Sequence, residues 1–164
     1  MSGAMTAAML AALLFGGLTA GFLFAFAVVV MPGIRKLDDH AYLRAFQVMD
    51  GIIQGNSPLF IIMWVGSVVA MLAVLVLGLM TTAGPGRMLL VGAAGIYLVG
   101  VQLPTAAVNI PLNNRVQNLQ IEELDPSAAR MERDLFEPRW NRWNVIRTFV
   151  AVGSLAMLLA AFVV

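Results

Sequence analysis

Residues 5–31 read MTAAMLAALLFGGLTAGFLFAFAVVVM and contain no charged side chain. A helix needs about 20 consecutive apolar residues to cross a bilayer, so this stretch is long enough. It has no basic region in front of it and is longer than the core of a signal peptide, which favours a retained membrane helix. Three further apolar stretches follow at residues 58–80, 88–109 and 145–164, and Arg147 is the one charged residue in them. The sequence therefore predicts four transmembrane helices.

The composition agrees with an all-α membrane four-helix bundle that forms a single domain over residues 1–164. The chain is 60% hydrophobic and 12% charged, whereas soluble domains are about half apolar and a quarter charged. It has no cysteine and one histidine, which excludes disulfides, iron–sulfur clusters and His-rich metal centres. We predict no metal site and no cofactor. The net charge of +1 gives no basic patch for nucleic acid.

Lysine and arginine residues are concentrated on one side of the predicted bundle. Four spans place residues 32–57 and 110–143 on the same side of the membrane. These loops and the start of span four hold nine of the ten Lys and Arg residues, and the tenth is Arg87. The positive-inside rule therefore predicts that both loops are cytoplasmic. We expect an integral protein of a bacterial plasma membrane.

Each long loop contains an amphipathic segment. Apolar residues recur at helical spacing between Asp38, the predicted N-cap, and Ile53, with Gly55 ending the pattern. A second segment begins at Ile110 and is broken at Asp125–Pro126. We expect both helices to cap the bundle rather than to lie on the membrane surface, because neither is strongly basic.

Small residues recur at four-residue spacing on the first two spans. Gly17 and Gly21 lie on span one, and Gly66 and Ala70 lie on span two. Such surfaces let helices approach closely. We favour packing within the chain, and a homo-oligomer remains an open alternative.

A polar stripe runs along span three towards the loop side. At 100° per residue its members fall within about 80° of arc; they are Gln102, Thr105, Asn109 and Asn113. If Pro111 breaks this helix, Asn109 becomes the N-cap of the next one. The free N–H groups of that helix start would suit an anionic or carbonyl-bearing ligand.

A second stripe marks the start of span four. Its members fall within about 100° of arc; they are Trp140, Trp143, Asn144 and Arg147. An arginine inside a spanning helix is costly unless it is paired or reaches the interface, which makes Arg147 a candidate functional residue. Glu137, Asp134 and Asp50 are its candidate partners. If the two stripes face each other, they line a pocket between helices.

Structural roles explain each of these residues better when it is taken singly, and only the two stripes together bring a pocket level with that explanation. The two tryptophans fit an interfacial aromatic belt, and Arg147 fits a snorkelling anchor. The polar residues of span three fit hydrogen bonds between helices.

Both stripes lie in segments that resemble the signatures of a known family. TAAVNIPLN at residues 105–113 is similar to the "T…NVPLN" signature of the anthrone oxygenase-like membrane family, and WNRWNVIRT at residues 140–148 resembles its "W..WN..R" signature. GFLFAF at residues 21–26 with VMPG at residues 30–33 also resembles the family pattern. Asp50 stands where the family usually has asparagine, and the histidine often found early in the first helix is absent.

The resemblance implies oxygenation of anthrones to anthraquinones without metal or flavin. Such chemistry needs a base, donors for an enolate oxygen, and a dry apolar slot. Asp50 is the candidate base and Arg147 the second candidate catalytic residue. Stripe amides are candidate donors to the enolate oxygen, and Trp140 and Trp143 would stack on a flat ring; all the other stripe residues are candidate ligand contacts.

Two hypotheses about function remain open at this stage. The first is a cofactor-independent oxygenase that binds a flat, apolar, carbonyl-bearing small molecule in this pocket and oxidises it. The second is a non-enzymatic membrane module that binds a lipid or quinone, or that scaffolds a protein partner through its loops. Both predict an apolar small molecule or lipid as the ligand.

Overall fold

The computed structural model describes residues 2–163 and consists of helices joined by short turns. Four helices are long and apolar enough to cross a membrane: α1 (Gly3–Ile34), α3 (Pro58–Thr81), α4 (Gly84–Gln117) and α5 (Pro126–Ala160). A shorter helix, α2 (Asp39–Gln54), follows α1. The predicted all-α membrane bundle is confirmed. Met1 and Val164, the ends of the predicted single domain, lie outside the described residues.

Aspartate side chains fix the starts of the two helices on the loop side. The Asp38 carboxylate accepts a hydrogen bond from the backbone N–H of Ala41 at 2.9 Å, which confirms it as the N-cap of α2. Asp125 accepts from the N–H groups of Ser127 and Ala128 and caps α5. An N-cap oxygen satisfies backbone donors that have no partner inside the helix.

The last two spanning helices are longer than the sequence predicted. The chain remains helical through Pro111, and Asn109 has helical dihedral angles with no capping hydrogen bond. The alternative in which Asn109 starts a new helix is therefore wrong, and the second amphipathic segment is a continuation of α4. Helix α5 begins at Pro126, well before the apolar stretch at 145–164. Proline tolerates the first turn of a helix because its missing N–H has no partner there.

Helix α2 caps the loop end of the bundle, as predicted for the first amphipathic segment. Its Tyr42, Leu43 and Phe46 are at most 2% exposed. Phe46 lies edge-on to Phe136 and Trp140 of α5, with ring centroids 4.4 and 5.5 Å away. This aromatic cluster holds α2 against α5 at the loop end of the bundle.

Small residues allow close helix packing inside the bundle. A Cβ added at Gly66 would lie 3.0 Å from the ring of Phe15, so α1 and α3 meet at that glycine. A Cβ at Gly17 or Gly21 would meet nothing within 4 Å. Packing within the chain thus uses part of the small-residue surface, and the homo-oligomer stays a prediction.

Candidate ligand-binding site

All five helices contribute side chains to one cavity of about 200 Å³ on the loop side of the bundle. Its lining is mostly aromatic and aliphatic, with a few convergent polar groups. The lining residues are Phe22, Leu23, Phe26, Phe46, Asp50, Ile53, Phe60, Trp64, Thr105, Asn109, Ile110, Asn113, Trp140, Asn144 and Arg147. An apolar cavity of roughly 150 Å³ already accepts benzene, so this one has room for an aromatic molecule.

Asp50 is a buried carboxylate that is surrounded by neutral amides. Its side chain accepts hydrogen bonds from Asn113 at 2.7 Å, from Gln54 at 2.7 Å and from Gln117 at 2.9 Å. The residue is 3% exposed, and burial raises the pKa of the Asp50 carboxyl while these three hydrogen bonds oppose the rise. A carboxylate has about four acceptor positions, so one is left for a further donor.

Asn113 connects Asp50 to an aromatic wall of the cavity. Its amide nitrogen donates to Asp50, and its amide oxygen accepts from the indole N–H of Trp140 at 2.7 Å. The indole contact therefore fixes which end of the Asn113 amide faces the carboxylate, because an indole N–H can only donate.

Arg147 is 3% exposed and lies on the same cavity. Its guanidinium donates to the hydroxyl of Thr105 at 2.7 Å and to the amide oxygen of Asn144 at 3.2 Å. Its Nε has no partner among the described residues. The arrangement leaves a buried cation whose hydrogen-bond partners are neutral and whose Nε is unpaired within the described residues.

None of the expected carboxylate partners pairs with Arg147 in the part of the chain that the structure describes. Glu137 forms ion pairs with Arg35 and Arg133 instead, and Asp134 lies near Arg130. Asp50 contacts only amides. The expected ion pair is wrong because each acid contacts other groups. Glu137 and Asp134 pair with other arginines, and Asp50 accepts hydrogen bonds from amides.

Two asparagines complete the polar part of the cavity. The Asn144 amide donates to the backbone carbonyl of Leu23 on α1 at 3.0 Å. The Asn109 amide donates to the backbone carbonyl of Trp140 at a long 3.4 Å. Asn109 is 2% exposed, and its amide oxygen has no partner among residues 2–163. Two residues that line one cavity, Asn109 and Arg147, therefore each carry a buried polar atom without a partner among the described residues.

Helix α4 contains two π-helical segments, one on either side of Pro104, and they set the direction of its polar side chains. These segments cover Leu98–Gln102 and Thr105–Asn109. Proline removes a backbone hydrogen bond from a helix interior, and wide π turns are common where a helix carries functional side chains. The Thr105 hydroxyl bonds the carbonyl of Val101 at 2.7 Å and is held in place for Arg147.

A family model described as anthrone oxygenase matches residues 59–157, more than half of the chain. The chain belongs to the anthrone oxygenase family. No curated protein and no solved structure matches it.

The segment that matches the anthrone oxygenase family covers α4, most of α5 and most of α3. It includes Trp64 and all the stripe residues from Gln102 to Arg147. Asp50 and the α1 side of the cavity lie outside the matched segment. The stripe side of the cavity thus lies within the matched segment, whereas the carboxylate lies on a helix before it in the chain.

Two of the predicted contact residues do not line the cavity. Gln102 is half-buried, and its amide oxygen accepts from the indole N–H of Trp64 at 3.0 Å. Gln102 therefore orients a lining residue rather than lining the cavity itself. Trp143 is half-buried and is absent from the lining. The other predicted residues, Asp50, Thr105, Asn109, Asn113, Trp140, Asn144 and Arg147, lie together on the lining.

Sequence reasoning missed the aromatic wall opposite the stripes. Phe60 and Trp64 stack with ring centroids 5.6 Å apart and an interplanar angle of 19°, and Phe22 meets Phe60 edge-on at 5.5 Å. The available signal was the four-residue spacing of Phe60 and Trp64, which puts two rings on one face of α3. Within residues 2–163, no group of three or more His, Cys, Asp or Glu side chains has the arrangement of a metal site.

Proposed function

We propose that this membrane protein oxygenates a flat, apolar molecule with an enolisable carbonyl, without metal or flavin, and that Asp50 is the base. One observation carries the proposal. Two buried, oppositely charged side chains, Asp50 and Arg147, line one apolar cavity, and no salt bridge neutralises either within the described chain. A buried charge without an ion-pair partner lowers the stability of the fold, which favours a functional reason for keeping it.

For an anthrone the reaction balances with dioxygen alone. Asp50 accepts a proton from the ring CH₂ group, and the resulting enolate donates electrons to O₂ to form a carbon–oxygen bond. The peroxide takes the proton back from Asp50. Loss of water from the hydroperoxide then leaves a second ketone, so anthrone and O₂ give anthraquinone and water. The substrate itself supplies the electrons.

Arg147 and Asn109 supply polar contacts suited to this intermediate. The free Nε–H of Arg147 is a donor for an enolate oxygen, and a positive charge favours the anion over the neutral ketone. The free amide oxygen of Asn109 is an acceptor for a hydroxyl group on the ligand. Because the surrounding cavity is apolar, water competes little for these contacts.

The aromatic walls suit a planar ring system. Phe60 and Trp64 are stacked on one wall, and Trp140 belongs to the facing α5 wall, where its indole N–H is already bonded to Asn113. Aromatic side chains bind flat apolar ligands by offset or edge contacts. These walls provide shape selection, and Asp50, Arg147 and Asn109 provide the chemistry.

The test measures oxygen consumption by purified protein in lipid vesicles with 1,8-dihydroxyanthrone, corrected for oxidation in protein-free vesicles. Asp50→Asn should lower the enzymatic rate by roughly 10²–10⁴-fold, as removal of a general base does. Asp134→Asn is the matched control because its side chain is 73% exposed. Equal turnover by wild type and Asp50→Asn would refute the assigned base.

Arg147→Gln tests the enolate contact separately. Loss of one donor to a developing oxyanion costs about 10²–10³-fold in rate, and the control Arg142→Gln changes an exposed arginine. Binding of the anthrone by wild type without oxygen consumption would instead support a ligand-binding module.

A further inference from the structure

We infer that the ligand reaches the cavity sideways from the bilayer, through an opening lined by Ile53, Phe60, Trp64 and Ile110. We call these four residues the portal. The inference rests on the proposed function only for the choice of probe molecule. It assigns the route and therefore the class of molecule that the site accepts.

The polar residues of the cavity lining and the four portal residues differ in how exposed they are. Five of the lining's six charged or strongly polar members are at most 9% exposed: Asp50, Asn109, Asn144, Arg147 and Thr105. The sixth, Asn113, is half-buried, and its amide is bonded to Asp50 and Trp140. The portal residues are the opposite: Ile110 is 47% exposed, and the other three are half-buried. The cavity therefore has a polar floor and an apolar mouth.

Exposed apolar side chains stand next to the portal residues in the chain. Leu59 is 79% exposed, Ile52 is 66% exposed and Ile61 is 41% exposed. There is no charged residue between Asp50 and Arg87 or between Arg87 and Arg115, the stretches that carry the portal residues. An exposed patch of this kind is unfavourable against water and matches the lipid that surrounds a spanning helix.

The position of the portal along α3 places it near one edge of the hydrocarbon layer. Phe60 and Trp64 follow the helix start at Pro58 by about 3 and 9 Å at the helical rise of 1.5 Å per residue. The hydrocarbon core is about 30 Å thick, and α3 with its 24 residues is just long enough to span it. Acyl chains meet headgroups at this level.

The ligand class follows from this arrangement. A molecule with an apolar body and one polar end dissolves in the bilayer with that end near the headgroups. It can pass the apolar portal and set its polar end against the floor groups Arg147 and Asn109. A water-soluble molecule with charges at both ends would have to leave one charge in the apolar portal, which is unfavourable.

The absence of cysteine from the chain makes the route testable by single substitutions. In vesicles, Ile110→Cys should react with bilayer-dissolved N-cyclohexylmaleimide and not with the aqueous, charged 2-sulfonatoethyl methanethiosulfonate. Ser127→Cys, on the exposed loop-side start of α5, is the control for the charged reagent in vesicles that present this side outwards. Equal labelling of both cysteines by the charged reagent would overturn the route. Ile53→Cys repeats the test if Ile110→Cys does not fold.

Blocking the portal tests the route by kinetics. Protein is labelled with N-cyclohexylmaleimide and mixed without oxygen with vesicles that contain 1,8-dihydroxyanthrone, and quenching of Trp64 and Trp140 fluorescence is followed. The adduct at position 110 should slow quenching at least tenfold, whereas the adduct at Leu103→Cys, whose native side chain is 61% exposed on α4 outside the lining, should leave the rate unchanged. An unchanged rate with the adduct at 110 would overturn the inference. If wild type binds no probe, the proposed substrate fails while the labelling result still decides the route.

Discussion

Asp50 shows how a single carboxyl is prepared for proton transfer by neutral neighbours. The side chain faces amides from α2 and α4, and none of its described contacts is a charged group. Amide donors stabilise the ionised form less than a cation would, so burial dominates and raises the pKa of the carboxyl. The carboxylate that forms above that pKa is more basic than a solvated aspartate.

The pH dependence of turnover should report this environment. A general base works only when it is ionised, so activity should fall as the pH drops through the raised pKa of Asp50. Asn113→Leu removes one hydrogen bond to the ionised form, and this acid limb should move to higher pH. Asn114→Leu is the control, because Asn114 contacts Gln54 rather than the carboxylate. Identical pH–rate profiles for all three proteins would contradict Asp50 as the titrating base.

The residue types of the site were predictable because a polar or charged side chain in a membrane helix carries a high free-energy cost and is therefore rare. A buried arginine and amides in an apolar helix are rare enough to attract attention in the sequence. Arg147, Asn109 and Asn144 were identified in this way and lie on the cavity. Their partners were not predictable, since Arg147 bonds Thr105 and Asn144 instead of an acid.

At the scale of elements, α4 and α5 pack closely at a glycine. A Cβ at Gly100 would lie 2.7 Å from Cγ1 of Val150, a β-branched side chain with little rotamer freedom. Overpacking of this kind costs about 1–3 kcal/mol. Gly100 lies within the first π-helical segment, Leu98–Gln102, just before the second segment, which carries Thr105 and Asn109.

Gly100→Ala should therefore destabilise the bundle by about 1 kcal/mol or more after the small gain in helix propensity. The measurement is the free energy of unfolding in mixed micelles. Gly95→Ala is the matched control on the same helix, because a Cβ there meets nothing within 4 Å. A Gly100→Ala protein as stable as Gly95→Ala would show that α5 moves aside freely.

Helix α5 is also tied to the loop after α1 by Arg133. Its guanidinium donates to Glu137 at 2.8 Å and to Asp39 at 3.0 Å, and it also bonds the backbone carbonyls of Leu37 and Arg35. The same group lies 4.3 Å from the centre of the Tyr42 ring. One side chain thus holds α5, the α1–α2 turn and the start of α2 together.

Arg133→Gln should lower the free energy of unfolding by about 3 kcal/mol, because it leaves the poorly exposed Glu137 carboxylate with only one cation, the exposed Arg35. The side chains of Arg133 and Glu137 are both 13% exposed. Arg130→Gln is the control, since its pair with Asp134 is 77% and 73% exposed and such pairs contribute about 0–1 kcal/mol. Equal effects of the two substitutions in thermal or denaturant unfolding would contradict the anchoring role.

For the whole molecule, the distribution of Lys and Arg predicts how the bundle sits in the membrane. Residues 32–57 and 110–143, which include the loop-side cap, are expected in the cytoplasm of a bacterium. The family and the four apolar helices establish an integral membrane protein. The orientation and the bacterial plasma membrane remain predictions.

Labelling of single-cysteine variants tests the orientation of the protein in the membrane. A charged thiol reagent added to intact cells should label Ala83→Cys, in the turn between α3 and α4, and should leave Ser127→Cys unlabelled until the cells are broken. Both positions are exposed, so accessibility differs only by side. The reverse pattern would show that the arginine-rich loops face outwards.

The sequence by itself determined the number of spanning helices, the fold class, the family and the stripe residues. It could do so because hydropathy and helical period are local properties, and the lipid requires every backbone group of a span to bond within its own helix. Only the tertiary structure decided the rest: α4 continues through Pro111, α2 brings Asp50 to the stripes, and α3 supplies Phe60 and Trp64. These depend on which helix faces meet, which local sequence does not encode, because the packing of five helices selects one arrangement among many with similar local patterns.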